Sequence, residues 1–508
     1  MIVLAVALVI AELAFVFGAA WDIQWHYAIG RDRPFIPPHV LLLGGIATTG
    51  ALALGGVLWS TFGSLRPSRP GADATPRVRL FGLFRAPVGL YFAGLGALCS
   101  ALAFPWDDYW HRLYGLDVTI WAPFHVMIIG GMALAALGAT YLFTSYSGRF
   151  AAAGTAVGLA TGAAVLLLLQ AQALDHEGII SVRPRAAIAF PPLLIALTIP
   201  WLTAASFAVR ITLPGGRHLP GARGLRGLPG GIPIGATLAA LVLTAVRLAL
   251  FAFVPWALRW AAPLEGARVR EQNMAVVATP YAFPAWIVVA ALVIDGACWL
   301  VRSRRLERVR LGVPFALLVA GAIAGIALAL LDRPWERTLP LVRNGRQLDL
   351  RAALVNALPI VAAIGAVAAL YGAAIGRALA SLSSVTHLWS TRRARYASVV
   401  LHALALALVA SAAWSGYLAA QGLIGPAHPP LIPFLPARPV TSPSVGWVIG
   451  LVPAWGLLAF ILAESLALRP LRGLRRASST SEEGHEDHRL DQGWLRLVRR
   501  GHRPPTRA

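Results

Sequence analysis

The sequence contains no lysine, so its positive charge comes entirely from arginine, with 44 basic residues against 22 acidic ones. It has only two cysteines, Cys99 and Cys298, which excludes a disulfide framework and leaves core packing as their expected role. Together with only four methionines, this scarcity of sulfur argues against a soft-metal trafficking site, which would use sulfur ligands. Charged residues make up 13% of the chain and apolar residues 57%, a balance that excludes an ordinary soluble protein.

Long apolar runs recur along the chain, and each of them is long enough to cross a bilayer. Helices are expected for all of them, because hydrocarbon cannot satisfy exposed backbone groups. The predicted fold is therefore all-α, a polytopic membrane protein with about twelve transmembrane helices. The runs are 3–21, 39–62, 86–105, 124–146, 150–174, 187–210, 232–256, 280–301, 311–331, 352–377, 397–421 and 445–468.

Arginines concentrate in alternate connections between these runs, notably in 63–85, in 302–310 and at the start of the tail. With twelve spans, all of these segments fall on one side, which the positive-inside rule makes cytoplasmic. We therefore expect a multi-pass protein of the cell membrane with both termini in the cytoplasm. The bilayer is its expected partner, and other membrane subunits stay open. A nucleic-acid partner is not expected, because the basic residues follow the membrane topology.

One sequence motif occurs twice near the N-terminus. Trp21-Asp22-Ile23-Gln24-Trp25-His26, followed by Pro37-Pro38-His39, reappears as Trp106-Asp107-Asp108-Tyr109-Trp110-His111, followed by Pro123-Phe124-His125. The expected topology places both copies at the outer membrane surface, where their tryptophans fit an interfacial aromatic belt. An internal repeat that keeps acids, histidines and glycines indicates a duplicated unit.

The repeat organises the predicted domains. A helical hairpin with the first motif spans 1–62, and a second hairpin with the second motif spans 86–146. A third helix pair covers 150–210, and a glycine-, proline- and arginine-rich boundary precedes a second six-helix bundle at 232–468. The last segment, 469–508, is polar and basic and is predicted to be a disordered cytoplasmic tail.

The residues of the motif suit a metal. Asp22 and His26 are four apart and share one helix face, and His39 follows a proline-rich turn at the entry of the next helix. Two imidazoles and a carboxylate suit copper, zinc or iron and leave coordination positions open. The predicted metal ligands are Asp22, His26, His39, Asp107, His111 and His125.

Three other interpretations stay open. Each acid and histidine can form a plain hydrogen-bonded pair, or the acid can orient the histidine without binding the metal. A multi-span transporter or channel-like permease with a structural repeat is the third. It draws on the polar residues within the apolar runs, which are functional candidates in lipid. These are Glu12, Arg247, Asp295, Asn356, His402 and Glu464.

The pattern Asp22-x3-His26-x12-His39 resembles the copper-ligand motif in one membrane subunit of the particulate methane and ammonia monooxygenases, the copper membrane monooxygenase family. The resemblance covers some twenty residues and implies copper as the cofactor, held near the outward-facing side of a membrane. The second copy departs from the pattern by one inserted residue. We therefore expect a membrane metal-binding protein. Whether it is a copper-dependent oxidative enzyme or binds metal without turnover stays open, and no catalytic residue is assigned.

Overall fold

The structure is a computed structural model of the 508-residue chain. It describes residues 1–30, 33–63, 77–80, 83–114, 123–146, 149–169, 194–209, 233–271, 286–303, 312–331, 342–343, 346–347 and 350–383. The predicted spans 397–421 and 445–468 and the tail 469–508 lie outside these residues.

Ten α-helices are present in this part of the chain. Seven of them are long and apolar enough to cross a membrane, which makes the chain a multi-pass helical membrane protein. The helices are α1 (Ile2–Ala28), α2 (Pro37–Gly63), α3 (Val88–Tyr114), α4 (Pro123–Thr144), α5 (Arg149–Leu167), α6 (Leu194–Ala208), α7 (Gly235–Ala261), α8 (Trp286–Ser303), α9 (Gly312–Leu331) and α10 (Leu350–Ser383).

Two short β-hairpins interrupt the helical fold. Strands β1 (Arg77–Leu80) and β2 (Phe84–Pro87) pair antiparallel ahead of α3, and β3 (Val342–Arg343) pairs with β4 (Arg346–Gln347) ahead of α10. The first hairpin lies in a segment expected to be only a linker. Arginines and apolar residues alternate in Arg77–Leu80, a period-two pattern that is typical of a strand with one buried face.

The four N-terminal helices form two antiparallel hairpins that pack side by side. Within each hairpin, a glycine brings two backbones into contact. A Cβ atom on Gly45 would lie 2.8 Å from the carbonyl oxygen of Ala11, and one on Gly131 would lie 2.5 Å from that of Gly96. Small residues permit this close approach, as is common between membrane helices.

The tryptophans of the first motif are buried in the protein. Trp25 is fully buried and Trp21 is 5% exposed; their rings meet edge to face, and Trp21 also packs on Phe253 of α7. The expectation that they form a lipid-facing belt is therefore wrong, because α7 covers the face of α1 that carries Trp21. The side chains of Trp106 and Trp110 lie outside the described residues.

The first turn of helix α7 supplies hydrogen-bond donors to one of the polar residues within the apolar runs. Asp295 of α8 accepts hydrogen bonds from the backbone N–H groups of Ala236 and Thr237, at 3.2 and 2.8 Å, and from the Thr237 hydroxyl at 2.8 Å. These are orphan donors in the first turn of α7, so Asp295 caps that helix from its neighbour. Arg247 lies about 15 Å further along α7 and is not its partner. Both cysteines are buried, consistent with core packing.

Candidate metal centre

The first motif lies where α1 ends and α2 begins. Helix α1 continues through Asp22 and His26 to Ala28, so the two side chains lie one turn apart on one face. Helix α2 starts at Pro37, whose ring suits a first helical position and lacks the N–H that would be orphaned there. His39 therefore sits in the first turn of α2, opposite the last turns of α1.

The three side chains converge. The Nε2 atom of His39 lies 3.1 Å from Oδ1 of Asp22, and Nε2 of His26 lies 3.7 Å from the same oxygen. One ligand atom from each residue falls within 4.8 Å of the others, and all three side chains are largely buried. A metal ion with bonds of about 2 Å spans ligand pairs up to about 4 Å apart, so small side-chain rotations complete such a site.

The His39 ring is also contacted at its other nitrogen and by a neighbouring aromatic ring. Its Nδ1 atom lies 3.0 Å from the backbone carbonyl oxygen of Arg33, and its ring meets Phe104 of α3 at 5.7 Å and 90°. A carbonyl and a carboxylate are both acceptors, whereas a neutral imidazole has one N–H donor. Both contacts are favourable at once when Nε2 carries a cation, which is either a second proton or a metal ion. A carbonyl on the other nitrogen is the usual arrangement behind a metal-bound histidine.

The second motif repeats the central contact. Asp107 lies in the α3 segment beyond Pro105, and its Oδ1 atom is 3.0 Å from Nε2 of His125 in the first turn of α4. Both side chains are largely buried. The side chain of His111, the third predicted ligand, lies outside the described residues. The structure thus brings together the acid and the helix-entry histidine of both copies, and the full triad of the first.

Both pairs lie at the same end of the four-helix unit. Phe104, whose ring packs on His39, is one helical turn from Asp107, or about 5 Å along α3. The ring of a residue from the second hairpin therefore supports a histidine of the first.

A strap after α7 runs along this end. It consists of a 3₁₀ turn, Ala262–Glu265, and the residues up to Glu271. The backbone N–H of Arg270 donates to the carbonyl oxygen of Ala28 at 2.8 Å, and Glu265 lies 3.8 Å from the Arg33 guanidinium. Arg259 donates two hydrogen bonds to Glu271, at 3.2 and 2.9 Å, and these lower the pKa of that carboxyl.

Gly30 is one of the residues that the two motifs share. It adopts φ +75°, and a Cβ atom there would lie 3.2 Å from the Arg270 guanidinium. Backbone conformation and close packing both favour glycine at this position.

A further acid lies deeper on the same side of α1. Glu12 is fully buried, and within the described part of the chain its two oxygens make no hydrogen bond. It lies about 21 Å below His26 along the helix and within about 40° of the same face. Among the polar residues that the sequence analysis singled out, Arg247 is also buried, with 2% of its surface exposed.

The contacts around the triad include two that the sequence motif does not contain. The Arg33 carbonyl is a backbone group, and Phe104 comes from the other hairpin, so spacing within one motif could not identify either. The donor set itself, two imidazole nitrogens and a carboxylate oxygen, fits copper, zinc or iron.

Comparisons with protein-family models, curated proteins and solved structures found no match. Fold and site alone therefore define the class, which is a multi-pass helical membrane protein with a buried Asp/His/His cluster between its first two helices.

Proposed function

We propose that this protein binds a transition metal at its duplicated Asp/His/His motifs, one ion per motif. The convergence of Asp22, His26 and His39 carries the proposal. The Asp107–His125 contact supports a second site, in which His111 would be the third ligand. Burial of acid and imidazole together in an apolar bundle is costly unless a cation compensates the carboxylate.

Copper is the proposed metal, with zinc and iron as competitors. Nitrogen and oxygen ligands follow an affinity order in which divalent copper ranks highest. The resemblance to the monooxygenase motif points to the same metal. The two histidines and the aspartate would hold the ion and leave positions open, where copper would supply redox chemistry. An oxidative enzyme and a metal-binding protein without turnover are both consistent with this ligand set.

We further propose twelve spans, cytoplasmic termini and outward-facing metal sites. Seven long apolar helices and the arginine-rich connections support this topology. A reporter fused after residue 480 should then be cytoplasmic, and one placed in the 423–444 connection should be outside. The opposite result would place the motifs on the cytoplasmic side and remove that part of the copper argument.

The alternative is a transporter or channel-like permease in which the repeat is structural. Its specific support is Glu12, a fully buried carboxyl within a membrane helix, because such groups often mark ion or proton paths. The two hypotheses make different demands on the motif, since only the first requires the histidines to retain metal.

Metal analysis of the full-length protein separates them. Wild-type protein offered equal copper and zinc should retain about two copper ions per chain. A variant with His26, His39, His111 and His125 replaced by alanine should retain none, while remaining inserted in the membrane. The matched control is His485→Ala with His488→Ala in the tail, which should keep the wild-type stoichiometry. Unchanged copper in the four-histidine variant would overturn the proposal and favour the transporter.

A further inference from the structure

An apolar groove runs between α2 and α3, where the two hairpins meet. Its cavity volume is about 420 Å³, and its lining is almost entirely aliphatic. Small residues create it, because Cβ atoms on Gly50 and Gly94 would only reach ordinary contact with Ala97 and Ala53, at 3.6 and 3.5 Å. The two helices within each hairpin are in backbone contact, whereas α2 and α3 leave space between them.

The groove has the length of one leaflet. Along α2 it extends from Ile46 to Val57, which is about 16 Å of helix. Half of a bilayer's hydrocarbon core is about 15 Å thick. The leucines on its rim are exposed, with Leu54 at 57% and Leu98 at 53%, so the groove opens towards the lipid side of the bundle.

The β1–β2 hairpin closes one end of this groove, and its arginines alternate along the strands with the residues that line the groove. Leu80 and Phe84 line the groove, and they are cross-strand partners. The next pair along the hairpin is Arg79 opposite Arg85. Arg85 is exposed, and Arg77 donates to the Ser60 carbonyl oxygen at 3.2 Å.

Between α2 and α3, residues 64–87 contain five arginines and one acid, Asp73. Neither 37–63 nor 77–106 contains an aspartate or glutamate. The groove thus combines an acyl-sized apolar channel, open to lipid, with a hairpin at one end whose sequence is net positive.

We propose that the α2/α3 groove is a binding site for an anionic phospholipid, with one acyl chain between the helices and the phosphate at Arg77 and Arg85. The guanidinium fork matches phosphate geometry. A neutral lipid would fill the same groove without neutralising the hairpin, so the site discriminates by headgroup. This inference is independent of the metal sites.

Lipid binding to the purified full-length protein tests the proposal. Phosphatidylglycerol and phosphatidylcholine with identical acyl chains are titrated into delipidated protein, and bound lipid is counted by native mass spectrometry. Phosphatidylglycerol should bind preferentially. Arg77→Gln with Arg85→Gln should reduce this preference, by about fivefold for each arginine, the effect of one basic residue at an anionic surface.

Filling the groove provides an independent variant. Gly50→Phe places a ring in the groove while its Cβ atom meets no close neighbour, and it should reduce binding of both lipids at least tenfold. Its matched control is Gly55→Phe, because a Cβ atom on Gly55 would have nothing within 4 Å and this residue does not line the groove. Arg149→Gln, at the exposed start of α5, is the control for charge.

Three results would overturn the proposal: equal binding of the two lipids, full binding by Gly50→Phe, or occupation of the groove by a second copy with no lipid bound. Each variant is compared only if it elutes like wild type. If the double arginine variant fails this check, the preference for phosphatidylglycerol is measured with Arg85→Gln alone, which changes an exposed side chain.

Discussion

The α1/α2 and α3/α4 hairpins are two versions of one unit, and they differ in informative places. Gly45 packs against Ala11 and Phe15, and Gly131 packs against the repeat-equivalent Gly96 and Ser100. The acid–histidine contacts measure 3.1 Å in the first hairpin and 3.0 Å in the second. The duplicated unit therefore retains both its helix crossing and its polar contact.

Other repeat-equivalent positions carry different residue types in the two hairpins. Phe15 is replaced in the second copy by Ser100, whose hydroxyl lies 2.8 Å from the Ile128 carbonyl oxygen. The fully buried Glu12 is replaced by Ala97, a lining residue of the apolar groove. The contrast indicates that the close glycine crossing places the helix ends, and that these ends place the acid and histidine. The remaining interior adapts to neighbours.

The largest predicted effect comes from the crossing glycines. Gly45→Ala puts a methyl group 2.7 Å from the Phe15 backbone nitrogen, and Gly131→Ala puts one 2.4 Å from the Ser100 hydroxyl and 2.5 Å from a backbone oxygen. Each variant should be destabilised by about 1–3 kcal/mol or more, since backbone must move to make room. Thermal unfolding in detergent measures the loss.

The preceding residues are matched controls for these substitutions. Gly44 and Gly130 lie on the same helices with nothing within 4 Å of an added Cβ. Gly44→Ala and Gly130→Ala should be neutral or stabilising by up to about 1 kcal/mol, because alanine favours helix. If Gly45→Ala melts like Gly44→Ala, the hairpins are not held by glycine contacts and the comparison fails.

The next effect concerns the acids of the two copies. Asp22→Asn and Asp107→Asn keep the shape and remove the charge that faces each helix-entry histidine. If the acids are ligands, copper at the affected site should be lost. If they only orient the histidines, affinity should fall about 10- to 100-fold. Calorimetric titration of copper into each variant distinguishes these outcomes site by site.

Equal behaviour of the two aspartate variants would show that the copies are functionally equivalent, as their contacts suggest. A loss confined to Asp22→Asn would instead make the first triad the metal site and the second pair a structural contact. Unchanged copper binding in both variants would remove the acids from the metal site altogether.

The sequence predicted an all-helical membrane fold, and the described part of the chain has one, with the acid and the helix-entry histidine of each motif in contact. Apolar length fixes a membrane helix almost by itself, and four-residue spacing fixes which side chains share its face. The convergence of His39 on Asp22 and His26 follows from the short turn between the two helices. These properties are local in the chain, so they can be read from it.

Features that depend on distant partners were not predictable in this way. Trp21 and Trp25 are buried because α7 and its neighbours cover α1, which the composition of the motif does not reveal. Asp295 caps the first turn of a helix at Ala236, which lies 59 residues earlier in the chain. The Phe104 ring that supports His39 belongs to the other copy of the repeat. Each depends on which helices pack together, and apolar runs of similar composition do not encode that choice visibly.

The smallest predicted effect isolates the contact found only in the second copy. Ser100 donates its hydroxyl to the Ile128 carbonyl oxygen of α4, with the Gly96 carbonyl of its own helix at 3.1 Å as a second acceptor. Ser100→Ala should lower the unfolding free energy by about 0.6 kcal/mol, the mean for an interhelical hydrogen bond in a membrane protein. The control is Ser145→Ala, because the Ser145 hydroxyl donates to the Tyr141 carbonyl one turn earlier in the chain, at 3.0 Å, and the loss of such a local bond should change stability less. The double variant with Ser100→Ala and Gly131→Ala should be less stable than Ser100→Ala alone. The Gly96 oxygen would still lie 2.5 Å from the new methyl group. If the double variant melts like Ser100→Ala alone, the hydroxyl rather than the backbone limits the approach of α3 and α4, and the two hairpins are held together by different contacts.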